Sequence, residues 1–213
     1  LYGLETTKNV SLDMMILHAK AVVKNSKKAL IIVDMPFGTY EKSGKLAYEN
    51  AKKIISETGA DGIKLEGGKK ISSIVKYLSK KGLLVVGHLG LLPQSFSGKY
   101  RVFGKKDEEK KQIIQDLNSL QKSGVFLIVL ECVVEKLANE LITQSKVPII
   151  GIGASNKCHG QILVIDDLLG LTDFESKFLK KYVNLKKIVS DSLSRFSQEV
   201  KKKKYPNDKH LYK

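Results

Sequence analysis

Cysteine is scarce in this chain. Only Cys132 and Cys158 occur among 213 residues, too few for a disulfide framework. Both sit at the ends of apolar segments, the setting of reduced thiols in a cytosolic protein. Arginine is equally rare: of 37 basic residues only Arg101 and Arg195 are arginine, and the other 35 are lysine. The formal charge of +15 therefore lacks the planar fork that reads base edges and phosphates. The lysines are spread through every helical segment, and the one dense block is Lys201 to Lys204. That is the pattern of solvated faces. A basic nucleic-acid-binding protein is an alternative supported by net charge alone. Long apolar runs are also missing. None reaches the roughly 18 to 20 residues that cross a bilayer, which excludes a membrane-spanning helix. The opening LYGLETTKNVSLDMM has neither an initiating Met nor the basic-then-apolar order of a signal peptide. A cytoplasmic protein is expected, read here from partway along a longer gene product.

What is present is an ordinary globular composition, 42% hydrophobic and 28% charged. Short apolar runs alternate with segments of helical period. The runs cover 29–33, 62–65, 83–86, 125–130, 148–152 and 161–165. They are continuous rather than alternating, as in strands of a parallel sheet covered on both faces. The segments between them carry apolar stripes at helical spacing, such as Leu12, Met15, Ile16 and Ala19 behind a Ser11 cap. A C-terminal helical part and tail are expected over 174–213, with Phe178, Tyr182, Leu185, Ile188 and Phe196 on its stripe. No linker, repeat or low-complexity tract interrupts the chain, so residues 1–213 read as a single βα-alternating domain. Six strand–helix units are countable, and the chain opens on a helix without a strand before it. The expected fold is a (β/α)8 TIM barrel whose two N-terminal strands are missing from this sequence. The alternative is a doubly wound open sheet, which predicts a Gly-rich phosphate turn after the first strand. Asp34-Met35-Pro36-Phe37-Gly38 is not one.

The informative residues stand at the strand tips. Asp34 follows Ile-Ile-Val, Lys64 and Glu66 flank Leu65, His88 follows Val-Val-Gly, and Glu131 follows Ile-Val-Leu. In a barrel these tips converge on one mouth. Asp34 and Glu66 are hard oxygen donors suited to Mg²⁺. Lys64, facing the same way as Glu66, is placed to bind a polarised carbonyl oxygen. Glu131 ends an apolar strand, where desolvation makes a carboxylate a usable general base; a helix cap is its bland alternative. His88 reads equally as a substrate ligand or a satisfied structural histidine. Cys132 reads as packing, since no histidine pairs with it locally. This chemistry points to a metal-bound α-keto acid losing a proton next to its carbonyl, with the substrate left unnamed.

In order along the chain, VDMPFGTYE (33–41), GADGIKLEGG (59–68), VVGHLGLLPQS (85–95), YRVFGK (100–105), VLECV (129–133), VPIIGIGAS (147–155) and GQILVIDDLLGL (160–171) make this sequence resemble the ketopantoate hydroxymethyltransferase family. The resemblance implies a (β/α)8 barrel using Mg²⁺ and 5,10-methylenetetrahydrofolate. It implies transfer of a hydroxymethyl group to 3-methyl-2-oxobutanoate, giving 2-dehydropantoate for pantothenate and coenzyme A synthesis. By resemblance, Asp34 and Glu66 are metal-site acids and Asp34 also lies beside the substrate. Lys64 binds the keto acid, His88 is assigned to substrate binding, and Glu131 is the proton acceptor of a Mg-enolate mechanism. The same resemblance implies a large homo-oligomer, decameric in many bacterial members. Its partners are small molecules, with no nucleic acid and no membrane. Lys99, Lys105 and Lys106 are placed to receive a polyglutamate tail of the folate. The family's VGDS stretch, which carries its first metal ligand and a substrate-binding serine, does not occur in this sequence. The family's GAG and DGQ are Gly153-Ala154-Ser155 and His159-Gly160-Gln161 here. Serine at 155 restricts the backbone wherever a positive φ is required. The alternative enzyme reading is a Mg²⁺-dependent keto-acid barrel of the phosphoenolpyruvate mutase and isocitrate lyase type.

Overall fold

A computed structural model describes residues 3–95 and 100–212. The chain divides into two compact units, Leu1–Ile162 and Leu163–Lys213. In the first, helices and strands alternate. The order is α1 (Leu12–Asn25), β1 (Ile32–Asp34), α2 (Gly44–Thr58), β2 (Gly62–Glu66), α3 (Ser72–Lys80), β3 (Leu84–Gly90), α4 (Asp107–Ser123), β4 (Leu127–Glu131), α5 (Glu135–Gln144), β5 (Ile149–Ile152) and β6 (Gly160–Gln161). Serine side chains start two of the helices. Ser11 Oγ accepts from Met14 N at 3.2 Å, and Ser43 Oγ accepts from Leu46 N at 3.2 Å, each satisfying an otherwise orphaned first-turn donor.

The six strands are all parallel and lie in sequence order, β1-β2-β3-β4-β5-β6. That order contains no reversal, so the doubly wound alternative does not hold. The sheet curls as half of a barrel does, and among the described residues β1 pairs only with β2 and β6 only with β5. Six strands, the number counted in the sequence, are present; a complete eight-stranded barrel is not shown among the described residues.

Strand alternation sorts the side chains into two layers. Val33, Ile63, Leu65, Val85, Leu89, Ile128 and Leu130 join helix residues such as Ala47, Ile54, Leu78, Leu117 and Leu141 in one apolar core. Each fully buried Leu or Ile contributes roughly 1.5–3 kcal/mol. One residue along each strand, Asp34, Lys64, Glu66, His88 and Glu131 fall on the opposite face. The core thus fixes the facing of the polar residues: a one-residue slip in β2 would turn Leu65 out of the core and Lys64 into it.

Three expectations are corrected in detail. The run 29–33 forms a strand only from Ile32. The Asp61 carboxylate accepts from Ile31 N at 2.7 Å, so a side chain takes that amide while the Ile31 carbonyl still accepts from Gly62 N at 3.3 Å. The run 161–165 yields only Gln161 as strand. Ile165 instead opens α6 (Ile165–Leu168), where Asp166 and Asp167 suit the positive end of a helix. In the second unit, α7 (Leu185–Lys201) begins after Phe178 and Tyr182. The Asn184 side chain accepts from Lys187 N at 3.0 Å and sets the start of the helix there.

Candidate active site

Register brings the five ionisable residues to one edge. Asp34 pairs with Lys64 across β1 and β2, Glu66 with His88 across β2 and β3, and Gly90 with Glu131 across β3 and β4. Lys64 Nζ lies 2.5 Å from Asp34 Oδ1 and 3.1 Å from His88 Nδ1. His88 Nε2 lies 3.1 Å from Glu131 Oε2, and His88 Nδ1 lies 3.8 Å from Glu66 Oε1. All five predicted side chains thus form one contiguous cluster. Neither the Lys64–Asp34 contact nor the His88–Glu131 contact has hydrogen-bond angles. Asp34 Oδ1 and His88 Nε2 are buried atoms without an aligned partner among the described residues.

Burial sets the charges. Glu66 is pushed up to about 7, chiefly by desolvation, against the opposing pull of Lys64 and a hydrogen bond from Gln94 N. Glu131 is likewise pushed up to about 7 by desolvation, with Lys64 opposing and Glu66 adding repulsion. His88 is only 3% exposed. Desolvation and then the Lys64 charge hold it well below the usual histidine range. It is therefore neutral near pH 7, and its approach to Glu131 is a dipolar contact rather than an ion pair. Burial and Glu131 push the Cys132 thiol up to about 11. A thiol so rarely ionised packs rather than attacks.

The backbone at these tips is tightly set. Glu131 O accepts from Leu91 N at 2.8 Å, and Cys132 N donates to Ile152 O at 2.9 Å. Cys132 adopts φ 51, turning the chain off β4 directly after Glu131. Gly90 has φ +92, and a Cβ there would stand 2.1 Å from Glu131 O. Only glycine fits beside the Glu131 carbonyl. At the tip of β2, a Cβ on Gly68 would stand 2.0 Å from Asp116 Cγ. The Asp116 carboxylate accepts from Lys69 N at 2.7 Å, tying this loop to α4.

Asp34 and Glu66 supply hard oxygens on adjacent strands. No group of three or more His, Cys, Asp or Glu arranged to hold a metal occurs among the described residues.

The family model described as Ketopantoate hydroxymethyltransferase matches residues 1–208. The chain belongs to the ketopantoate hydroxymethyltransferase family. Among its relatives, the 3-methyl-2-oxobutanoate hydroxymethyltransferase of Pelagibacter ubique is 50% identical over 212 residues, covering 100% of this chain and 82% of that protein. The Rhizobium etli protein of the same name is 45% identical, covering 100% of this chain and 79% of its own length. Among solved structures, a phosphonopyruvate hydrolase complex with oxalate and Mg²⁺ superposes with TM-score 0.53 at 10% identity, over 97% of this chain and 73% of that one. A putative phosphonomutase from Burkholderia cenocepacia gives 0.52 at 10% identity, over 68% and 62%. These two show the α/β fold alone.

Two residues that hold this cluster escaped the reading of strand tips. Tyr40 OH donates to Glu66 O at 3.3 Å and accepts from Glu66 N at 3.2 Å, closing the free edge of β2. Gln94 N donates to Glu66 Oε2 at 2.9 Å, its Nε2 donates to Met35 O at 3.2 Å, and its buried Oε1 has no partner among the described residues. Both lie in loops, where no periodicity marks a buried residue. Their only signal was inclusion in the family-like stretches around 33–41 and 85–95. The departures at 155 and 159 are accommodated. Ser155 is outside the positive-φ region; its Oγ donates to Asn139 Oδ1 at 2.6 Å and accepts from Lys157 N at 3.1 Å. His159 Nδ1 accepts from Ile149 N at 3.1 Å, so this ring anchors the start of β5. Lys105 and Lys106 are exposed just before α4, while Lys99 lies outside the described residues.

Proposed function

We propose that this chain transfers a hydroxymethyl group from 5,10-methylenetetrahydrofolate to 3-methyl-2-oxobutanoate, giving 2-dehydropantoate and tetrahydrofolate. The observation that carries the reading is the desolvated Glu131 carboxylate in the same cluster as Lys64, Asp34 and Glu66. The curled sheet is the arc of a (β/α)8 barrel, and its tip edge is the mouth.

Asp34 and Glu66 would hold Mg²⁺. The fit rests on the buried Asp34 Oδ1 that lacks an aligned donor and on an all-oxygen donor set. When bound, the ion polarises the keto acid's carbonyl and stabilises charge developing there. Glu131 accepts the C3 proton of the keto acid; an apparent value near 7 keeps it a competent base at neutral pH. Lys64 presents its ammonium to the oxygen that gains charge as the proton leaves. Asp34 beside it and His88 behind it fix where that ammonium sits. Carbon C3 then bonds to the folate's methylene carbon while that carbon's two C–N bonds break; one water supplies the hydroxyl, and tetrahydrofolate leaves with the proton from C3 and the second proton of that water on its two nitrogens. Gln94 and Tyr40 hold Glu66 by side chain and main chain.

The phosphoenolpyruvate mutase-type alternative is supported by fold likeness at 10% identity only, against a family match over 1–208. A small-molecule enzyme in the cytoplasm, assembled as a homo-oligomer, belongs to the same reading. Among the described residues no helix is long and apolar enough to cross a membrane. The test is release of tetrahydrofolate when the protein receives both substrates and Mg²⁺. No turnover, with no further loss on Glu131→Gln, would reject the proposal.

A further inference from the structure

His88 occupies a place that a substrate ligand would not. It is 3% exposed and sits in the centre of the sheet, paired to Glu66 on one side and Val129 on the other. Both ring nitrogens already face protein groups. Nδ1 is 3.1 Å from Lys64 Nζ, and Nε2 is 3.1 Å from Glu131 Oε2. The other carboxylate nearby, Glu66 Oε1, is 3.8 Å from Nδ1, too far for a hydrogen bond. An ammonium donates and cannot accept. Nδ1 must therefore present its lone pair to Lys64, which leaves the single ring proton of a neutral imidazole on Nε2. That nitrogen is the buried one without an aligned partner among the described residues, and it faces the carboxylate assigned to the C3 proton.

We propose that His88 is a positioning residue that takes its tautomer from Lys64 at Nδ1 and orients the Glu131 carboxylate through Nε2–H. The inference rests on the transferase reading above. It assigns His88 to Glu131 rather than to the substrate. With Oε2 steered by the imidazole, Oε1 is the oxygen left to accept the proton. The contact in the free protein is close but misaligned, as catalytic hydrogen bonds are before substrate is bound. The keto acid, by occupying the Lys64 ammonium, adjusts the ring and through it the base.

Two isosteres separate the ring's two edges. In His88→Asn the amide oxygen reaches the Nδ1 position and serves Lys64 only. In His88→Gln the amide nitrogen reaches the Nε2 position and serves Glu131 only. The readouts are exchange of the C3 proton of 3-methyl-2-oxobutanoate into D₂O with Mg²⁺ and no folate, and the keto-acid Kd by calorimetry. His88→Asn should lose about 10- to 100-fold in saturated exchange rate with Kd little changed, the scale of losing an orienting partner. His88→Gln should recover most of that loss. A raised Kd in both variants with an unchanged saturated rate would make His88 a substrate ligand and overturn the proposal. Imidazole ¹⁵N–¹H correlation on the wild-type protein decides the matter even where a variant fails to fold. The neutral Nε2–H form is expected, and the Nδ1–H form refutes it. A wild-type protein that neither exchanges the C3 proton nor releases tetrahydrofolate rejects the transferase reading itself, and this inference with it.

Discussion

Replacing Glu131 with glutamine should stabilise the fold while abolishing turnover, and the stabilisation should depend on pH. Glu131 is held in a desolvated position that raises it from 4.5 to about 7. At about 1.4 kcal/mol for each pH unit, that separation amounts to about 3 kcal/mol. The group's ordinary value is the unfolded one, so the folded state binds the extra proton between the two values. Stability from this group is complete below about 4.5 and is lost as pH rises through about 7. Glutamine is nearly isosteric, keeps an acceptor for the His88 ring, and carries no charge to desolvate. The unfolding free energy of Glu131→Gln minus that of wild type should therefore grow between pH 5 and pH 8. Water at the partly open face screens the charge, which brings the expected change to about 1–3 kcal/mol. Denaturant titrations at several pH values, analysed at constant m, measure it. A difference that stays flat across that interval would refute the reasoning, because Glu131 would then ionise as freely as it does in water.

The same carboxylate governs the rate. kcat/KM should rise with pH to a plateau, half-maximal near 7, because only the ionised form accepts a proton; an acid limb centred near 4.5 would contradict a desolvated base. Gly90→Ala puts a Cβ 2.1 Å from Glu131 O at a φ of +92. It should cost about 2–4 kcal/mol by thermal or chemical unfolding and lower kcat more than about tenfold, since the base is displaced with its strand. Asp34→Asn should weaken Mg²⁺ binding by about tenfold or more in calorimetry while leaving the melting temperature nearly unchanged, because Asp34 lies at the rim outside the apolar core. Unchanged Mg²⁺ affinity would remove Asp34 from the metal site.

Much of this site was legible because strand tips obey a simple rule. A continuous apolar run fixes a buried parallel strand, and the polar residue that ends it must face away from the core. Val33 beside Asp34, Leu65 between Lys64 and Glu66, and Leu130 beside Glu131 each state that rule in two or three residues. The runs at 29–33 and 161–165 were overread for a related reason. Apolarity alone does not decide between ladder and loop. Asp61 captures the Ile31 amide, and paired aspartates favour a helix start at Ile165. Phe178 and Tyr182 were extended into α7 because a helical stripe carries no mark of where Asn184 caps it. Tyr40 and Gln94 were unreadable on physical grounds, since their roles depend on where a loop returns in space. His88 was legible as a site member but not in its role. Whether an imidazole faces a ligand or two neighbouring strands is decided by registry, and the chain order does not display it.

The Tyr40 hydroxyl ties both main-chain groups of Glu66 with one side chain. Desolvation holds that phenol protonated far into alkali. Across the interval in which the site carboxylates gain and lose charge, the fastening beneath one of them does not change. Acid-side loss of rate is therefore a change of charge on an intact scaffold and should reverse fully on neutralisation. Strong alkali is different in kind. Once the phenol ionises, it can no longer donate to the Glu66 carbonyl, and one of its two main-chain bonds at the end of β2 is lost.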